Sequence, residues 1–128
     1  MIDEELKKTL EQHLSWLADP KSGKRADLRN TILTNADLRN TILIDANLQG
    51  ANLQNTNLRN ANLTGANLTD TSLIGADLIG ADLIGADLID ADLRNANLRN
   101  ANLTNTNLTG ANLTDADLRN TILIDADH

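Results

Sequence analysis

The chain has 128 residues, with 18 acidic and 11 basic side chains and a formal net charge of −7. That balance argues against a nucleic-acid-binding surface. It has no cysteine, which excludes disulfides, thiolate chemistry and cysteine-bearing zinc sites. With one Trp and no Phe or Tyr, its core must be filled by small, regular side chains.

The first 25 residues balance five acids against five bases. Their acidic opening, "MIDEEL", does not resemble a secretory leader, and no apolar run in the chain is long enough to span a membrane. A cytoplasmic protein is the expectation. Leu6, Leu10, Leu14 and Leu17 fall at i, i+4, i+8 and i+11, an apolar stripe on a helix from about Asp3 to Leu17. Asp3 is the expected N-cap, and Asp19-Pro20 and Ser22-Gly23 end the helix. Residues 1–25 therefore read as an amphipathic capping helix with a connecting loop. A partner-binding or membrane-surface helix is the alternative, and the balanced charge argues against the membrane.

From Ala26 the chain divides into 20 complete five-residue units ending at Asp125, with Ala126-Asp127-His128 left over. The third residue of every unit is Leu, the first is Ala or Thr, and the fifth is Asn, Asp or Gly. A helix is excluded, because leucines five apart drift around its whole surface. An extended chain with alternating side-chain directions sends places one and three inward and places two and four outward. Place five must turn a corner, and Asn, Asp and Gly are the residues that tolerate left-handed backbone there. A strict repeat of this kind signals a solenoid whose units bury their apolar side only by stacking. Its first coil would leave Leu28, Leu33, Leu38 and Leu43 open, and the N-terminal helix is placed to cover them.

Units such as "ADLRN", "ANLTG" and "ADLIG" resemble the A(D/N)LXX signature of the pentapeptide repeat proteins, and the match covers residues 26–125. The resemblance implies an all-β solenoid: a right-handed quadrilateral parallel β-helix of about five coils, 26–128, behind the capping α-helix. At about 4.8 Å per coil the rod is roughly 24 Å long. The stretch "GKRADL", residues 23–28, is similar to the many cyanobacterial members of the family.

With 20 residues per coil, residues 20 apart stack in columns. One column reads Arg39, Arg59, Ile79, Arg99, Arg119, an Arg-rich face. Another reads Ile44, Thr64, Ile84, Thr104, Ile124, beside Ile42, Asn62, Asp82, Asn102, Ile122. Ile42, Ile44, Ile84, Ile122 and Ile124 thus share one lightly charged side, the candidate contact face. Ile74, Ile79, Ile84 and Ile89 face outward as a belt, one on each side, where β propensity alone also suits Ile. No two second-place Asp are stacked neighbours, which avoids like-charge rungs. Arg39, Arg94 and Arg119 each follow an Asp by two residues.

Catalysis finds no support. The two histidines are His13, read as a helix residue at the edge of the cap, and His128 at the far end. No nucleophile–base pair, phosphate-cradling loop or metal-ligand cluster is present, and no cofactor is expected. Asp77, Asp82, Asp87 and Asp92 fall on four different sides, so calcium columns are disfavoured. The expected function is a non-catalytic protein-interaction or scaffold module whose partner is unidentified. The alternative, from what some family members do, is an acidic DNA mimic that inhibits a topoisomerase or another DNA-binding protein. Dilution of the acids by Asn and the Arg-rich face count against it. The last coil leaves Leu108, Leu113, Leu118 and Leu123 with three residues to cover them. A homodimer through this C-terminal coil, as in some family members, is favoured over a folded-back tail or simple exposure.

Overall fold

The computed structural model describes residues 3–127. A single helix, α1 (Glu4–Ala18), precedes the repeats. Asp3 caps it as expected, its side chain accepting the Leu6 N–H at 2.7 Å. Two acids in the first turn, Glu4 and Glu5, complement the helix dipole. The exit closes through the Asp19 N–H to the Ser15 carbonyl and the Ser22 N–H to the Asp19 carbonyl, both at 2.9 Å. Gly23 passes so close to α1 that a Cβ there would collide with the Gln12 carbonyl and the Trp16 amide nitrogen.

Beyond Ala26 every bridge is parallel and joins second-place residues 20 apart, from Asp27 with Asn47 to Asn107 with Asp127. Each coil is thus four units, and the stack runs through five coils, 26–45 to 106–125. Three backbone bonds tie each inner unit to its neighbours. The Leu48 N–H donates to Asn67 O at 2.8 Å, the Gly50 N–H to Thr69 O at 2.9 Å, and the Asn67 N–H to Ala46 O at 2.9 Å.

All twenty fifth-place residues, whether Asn, Asp or Gly, have φ between 56 and 72°. That left-handed conformation explains the three permitted residue types. The first-place N–H closes each corner on the Leu carbonyl three residues back, as Ala46 to Leu43 at 3.0 Å. Positive φ at the third residue of the turn alone marks type II rather than I′ or II′. A corner every five residues leaves too little chain for a strand, so each unit contributes one bridge residue instead of the extended segment the alternation suggests.

The core is a column of leucines. Leu38 through Leu103 are at most 1% exposed at every third place, lined by first-place Ala. First-place Thr enters the tube by bonding its hydroxyl to a Leu carbonyl, as Thr56 to Leu33 and Thr106 to Leu83. Among the described residues no buried side-chain polar atom lacks a partner.

Candidate functional site

Sixteen of the twenty second-place residues are Asn or Asp. Each accepts the N–H of the fourth-place residue two positions on, from Arg29 N–H to Asp27 Oδ1 at 3.3 Å through Arg119 N–H to Asp117 Oδ1 at 3.1 Å. This local bond supports sixteen of the twenty corners. It adds a backbone role to residues that the sequence explains only by outward polarity and charge spacing.

Ile32, Ile42 and Ile122, with Ser72, are the second-place residues outside this set. All three isoleucines lie in the terminal coils, and all are exposed: Ile32 by 81%, Ile42 by 42% and Ile122 by 43%. Ile32 escaped the sequence reading. Its signal was an apolar residue at a place otherwise reserved for Asn, Asp or Ser.

The candidate face Ile42, Ile44, Ile84, Ile122 and Ile124 does share one side, since Ile42 bridges to Asn62, which bridges on to Asp82, Asn102 and Ile122. It is not one continuous surface. Ile84 is half-buried between coils, as are Ile74, Ile79 and Ile89 of the belt. Exposed apolar surface gathers at the two ends. At the C-terminal end Ile122, Leu123 and Ile124 are 43, 45 and 64% exposed. At the N-terminal end Leu10, Leu14 and Ile42 line a groove of about 160 Å³.

The Arg-rich face is largely neutralised. Arg39 grips Asp37 through two nitrogens at 2.8 and 2.7 Å. Arg59 reaches across the coil boundary to Asp77 at 2.5 Å, and Arg119 and Arg99 converge on Asp117 at 2.6 and 3.8 Å. Arg94 pairs with Asp92 as the spacing suggests, and Arg29 pairs likewise with Asp27. Hydrogen bonds from the guanidinium and from the backbone N–H two residues on pull the Asp27, Asp37 and Asp117 pKa down to about 2. Asp92 is lowered for the same first cause. None of the bridges joins two acids.

The cap differs in detail from the leucine stripe. Leu6 is buried and Leu10 packs on the core, whereas Leu17 is half-buried and Leu14 is 48% exposed. The face is completed by His13, which is fully buried rather than at the edge of the cap. Its Nδ1 accepts the Ala26 N–H at 2.9 Å and its Nε2 donates to Ile44 O at 2.8 Å. The ring stacks on Trp16 with centroids 5.6 Å apart. Leu6 and His13 are seven positions apart, a spacing that a stripe counted in leucines passes over. His128 lies outside the described residues.

An open cleft of about 540 Å³ between α1 and the first coil is lined by both signs of charge, Glu5 and Asp27 facing Lys8, Lys24 and Arg25. No group of three or more His, Cys, Asp or Glu converges on a metal-sized site among the described residues. Nor is any described helix long and apolar enough to cross a membrane.

The family model described as Pentapeptide repeats (8 copies) matches residues 24–60, 51–89, 61–100 and 86–125. Among solved structures, HetL of the cyanobacterium Nostoc, a pentapeptide repeat protein involved in heterocyst differentiation regulation, is 38% identical with a TM-score of 0.65. The alignment covers 80% of this chain and 50% of HetL, so the chain spans half the length of that relative. A second Nostoc pentapeptide repeat protein, alr5209, is 34% identical over 77% of this chain and 83% of its own, with a TM-score of 0.63. One from the Arabidopsis thaliana thylakoid lumen is 37% identical over 78% and 66%, with a TM-score of 0.56. No functionally curated protein matches the chain.

Proposed function

The chain belongs to the pentapeptide repeat family, and on that premise we propose that it is a non-catalytic protein-interaction or scaffold module. In this reading the stack is a right-handed quadrilateral β-helix, residues 26–128, whose flat sides and apolar ends meet a protein partner in the cytoplasm. The observation that carries the reading is the placement of Ile32, Ile42 and Ile122. Each gives up the side-chain bond that every second-place Asn and Asp makes, and each puts an aliphatic side chain into water. A residue that breaks a local rule without a gain in the isolated chain has its gain elsewhere. Among the described residues, every buried side-chain polar atom has its partner within the fold. HetL, a relative of the same family, is involved in heterocyst differentiation regulation, a role this reading is compatible with.

The C-terminal coil is the proposed surface for a second copy. Leu113 and Leu118 are half-buried and Leu123 is exposed. The tail covers less than the whole end, although Asp127 extends the ladder over Leu108, which is 4% exposed. An Ile122→Asp/Ile124→Asp variant separates the roles. Loss of dimer mass by light scattering at tens of micromolar supports self-association, and a monomeric wild type removes it. Affinity capture with the wild type beside Ile42→Asp tests the partner at the other end. Unchanged companions in the variant would move the contact away from that end.

The acidic DNA mimic is the second reading, favoured by the net charge of −7. The Arg–Asp pairs and the Asn between stacked Asp work against a continuous acidic row. Gyrase supercoiling unchanged by a large excess of the protein would exclude it.

A further inference from the structure

The two backbone partners of His13 fix its chemistry. A backbone N–H only donates, so the Nδ1 that accepts from Ala26 at 2.9 Å must hold a lone pair. A carbonyl only accepts, so the Nε2 that meets Ile44 O at 2.8 Å must hold the proton. The ring is therefore the neutral Nε2–H tautomer.

Those two partners are among the backbone groups that the first coil leaves without the bonds of an inner coil. In inner coils a first-place N–H donates to the Leu carbonyl of the preceding unit, as Ala46 does to Leu43. A fourth-place carbonyl there accepts from the coil before it, as Thr64 O does from Asp45. Ala26 has no preceding unit and Ile44 no preceding coil. One imidazole supplies both missing bonds and joins α1 to the beginning and the end of the same coil.

We propose that His13 is a proton-sensitive latch: a proton on Nδ1 releases α1 from the first coil while the inner coils stay closed. The added N–H would point at the Ala26 N–H, donor against donor, and would leave a charge buried against Trp16. The charged groups facing the ring are Arg25 on the connecting segment, which opposes the proton, and Asp45 at the corner of the first coil, which favours it. Burial, helped by Arg25, outweighs the Ile44 bond and Asp45, and holds the His13 pKa below its ordinary 6.5. The released form then binds the proton more tightly than the latched form. Latching is complete above 6.5 and weakens as pH falls from there toward the lower latched value. Across that window the opening constant rises about tenfold per pH unit. Release uncovers Leu28, Leu33, Leu38 and Leu43, so acid turns a capped end into an adhesive one.

Hydrogen exchange on the full chain between pH 7.5 and 5, corrected for intrinsic rates, tests this, in a His128→Gln background that leaves one histidine. The expected result is an Nε2–H tautomer for His13 at pH 7.5. Below pH 6.5, amides of residues 4–18 and of Ala26 should then lose protection about tenfold per pH unit, as the ring takes up its proton. Amides of the inner coils, 46–105, should hold. His13→Gln offers an acceptor and a donor that do not titrate, and should flatten the dependence. Protection of α1 that ignores pH overturns the latch, as does loss of α1 only together with the inner coils, or a glutamine variant as acid-sensitive as its parent. If glutamine fails to hold α1 at pH 7.5, the parent decides alone: coincidence of ring titration and helix release supports the latch, and separation of the two refutes it.

Discussion

Leu83 and Leu123 are the same residue at the same place of their units, in one column 40 residues apart, and truncating each to Ala asks whether the unit or the stack supplies stability. Leu83 is 1% exposed, with Leu63 and Leu103 above and below it equally buried. Its removal loses the transfer energy of the side chain and leaves a closed void that a regular, bonded tube cannot collapse into, at about 3–5 kcal/mol. Leu123, in the last of the five coils, is 45% exposed. About half of a roughly 2 kcal/mol transfer term is at stake there and no closed cavity forms, so the loss is about 1 kcal/mol. With a urea slope of about 1–3 kcal/mol per molar, Leu83→Ala should move the midpoint down by at least about 1 M and Leu123→Ala by a fraction of that. Far-UV circular dichroism follows the coils, and an unchanged slope shows that the transition keeps its cooperativity. Equal midpoint shifts would mean that each unit is stabilised within itself, and the stacking account would fall.

The corners give a second test. Asn100 has φ 60°, so Asn100→Ala should cost about 1–2 kcal/mol in urea denaturation while Asn100→Gly stays within a few tenths, and reversal of that order would refute the left-handed corner. Gly23→Ala should push α1 off the first coil, seen as a red-shifted, more quenchable Trp16 emission with far-UV coil signal retained; an unchanged Trp16 would contradict the close approach. Asp27, Asp37 and Asp117 have pKa values of about 2 against 3.8, so the stability they contribute is present above pH 3.8 and is lost as pH falls toward 2. Arg39→Gln should move that acid transition upward in a pH titration, and an unmoved transition would show the Asp37 pair to be idle.

The period of five, the inward leucines and the left-handed corners were legible because each imposes a constraint no other residue type meets. Place five admits Asn, Asp and Gly for a backbone reason, and twenty repetitions expose it. Place two hid its second meaning, since outward polarity and a bond from the Gln49 N–H to Asn47 Oδ1 ask for the same residues. The cap was legible as a helix and misread as a face. His13 looks like solvent-facing polarity in a stripe counted by leucines, and only the unpaired Ala26 N–H and Ile44 carbonyl of a first coil show what a buried imidazole is for. Charge pairing was legible within a unit, as Arg39 with Asp37, but not across coils, as Arg59 with Asp77, because that contact depends on which way a long side chain leans.

A solenoid separates two demands that a globular domain mixes. Inner coils such as 86–105 bond to a coil on each side, and their sequence varies most on the outward fourth place, where Ile, Thr, Gln and Arg occur; Ser72 is the one inner second-place residue that is neither Asn nor Asp. Terminal coils lack one neighbour, and there the rules are broken: Ile replaces Asn at places 32, 42 and 122, and a histidine stands in for backbone. Stacking energy cannot explain these departures, because the same coils would bond better with Asn. Selection for what the ends touch can, and it makes a specific demand on substitutions. Ile122→Asn restores the side-chain bond to the Ile124 N–H that Asn102 makes to Thr104 at 3.1 Å, so it should leave the free chain as stable or slightly more so in urea. The same change should weaken whatever the C-terminal end binds. A variant that is less stable alone, with association intact, would assign Ile122 to the fold instead.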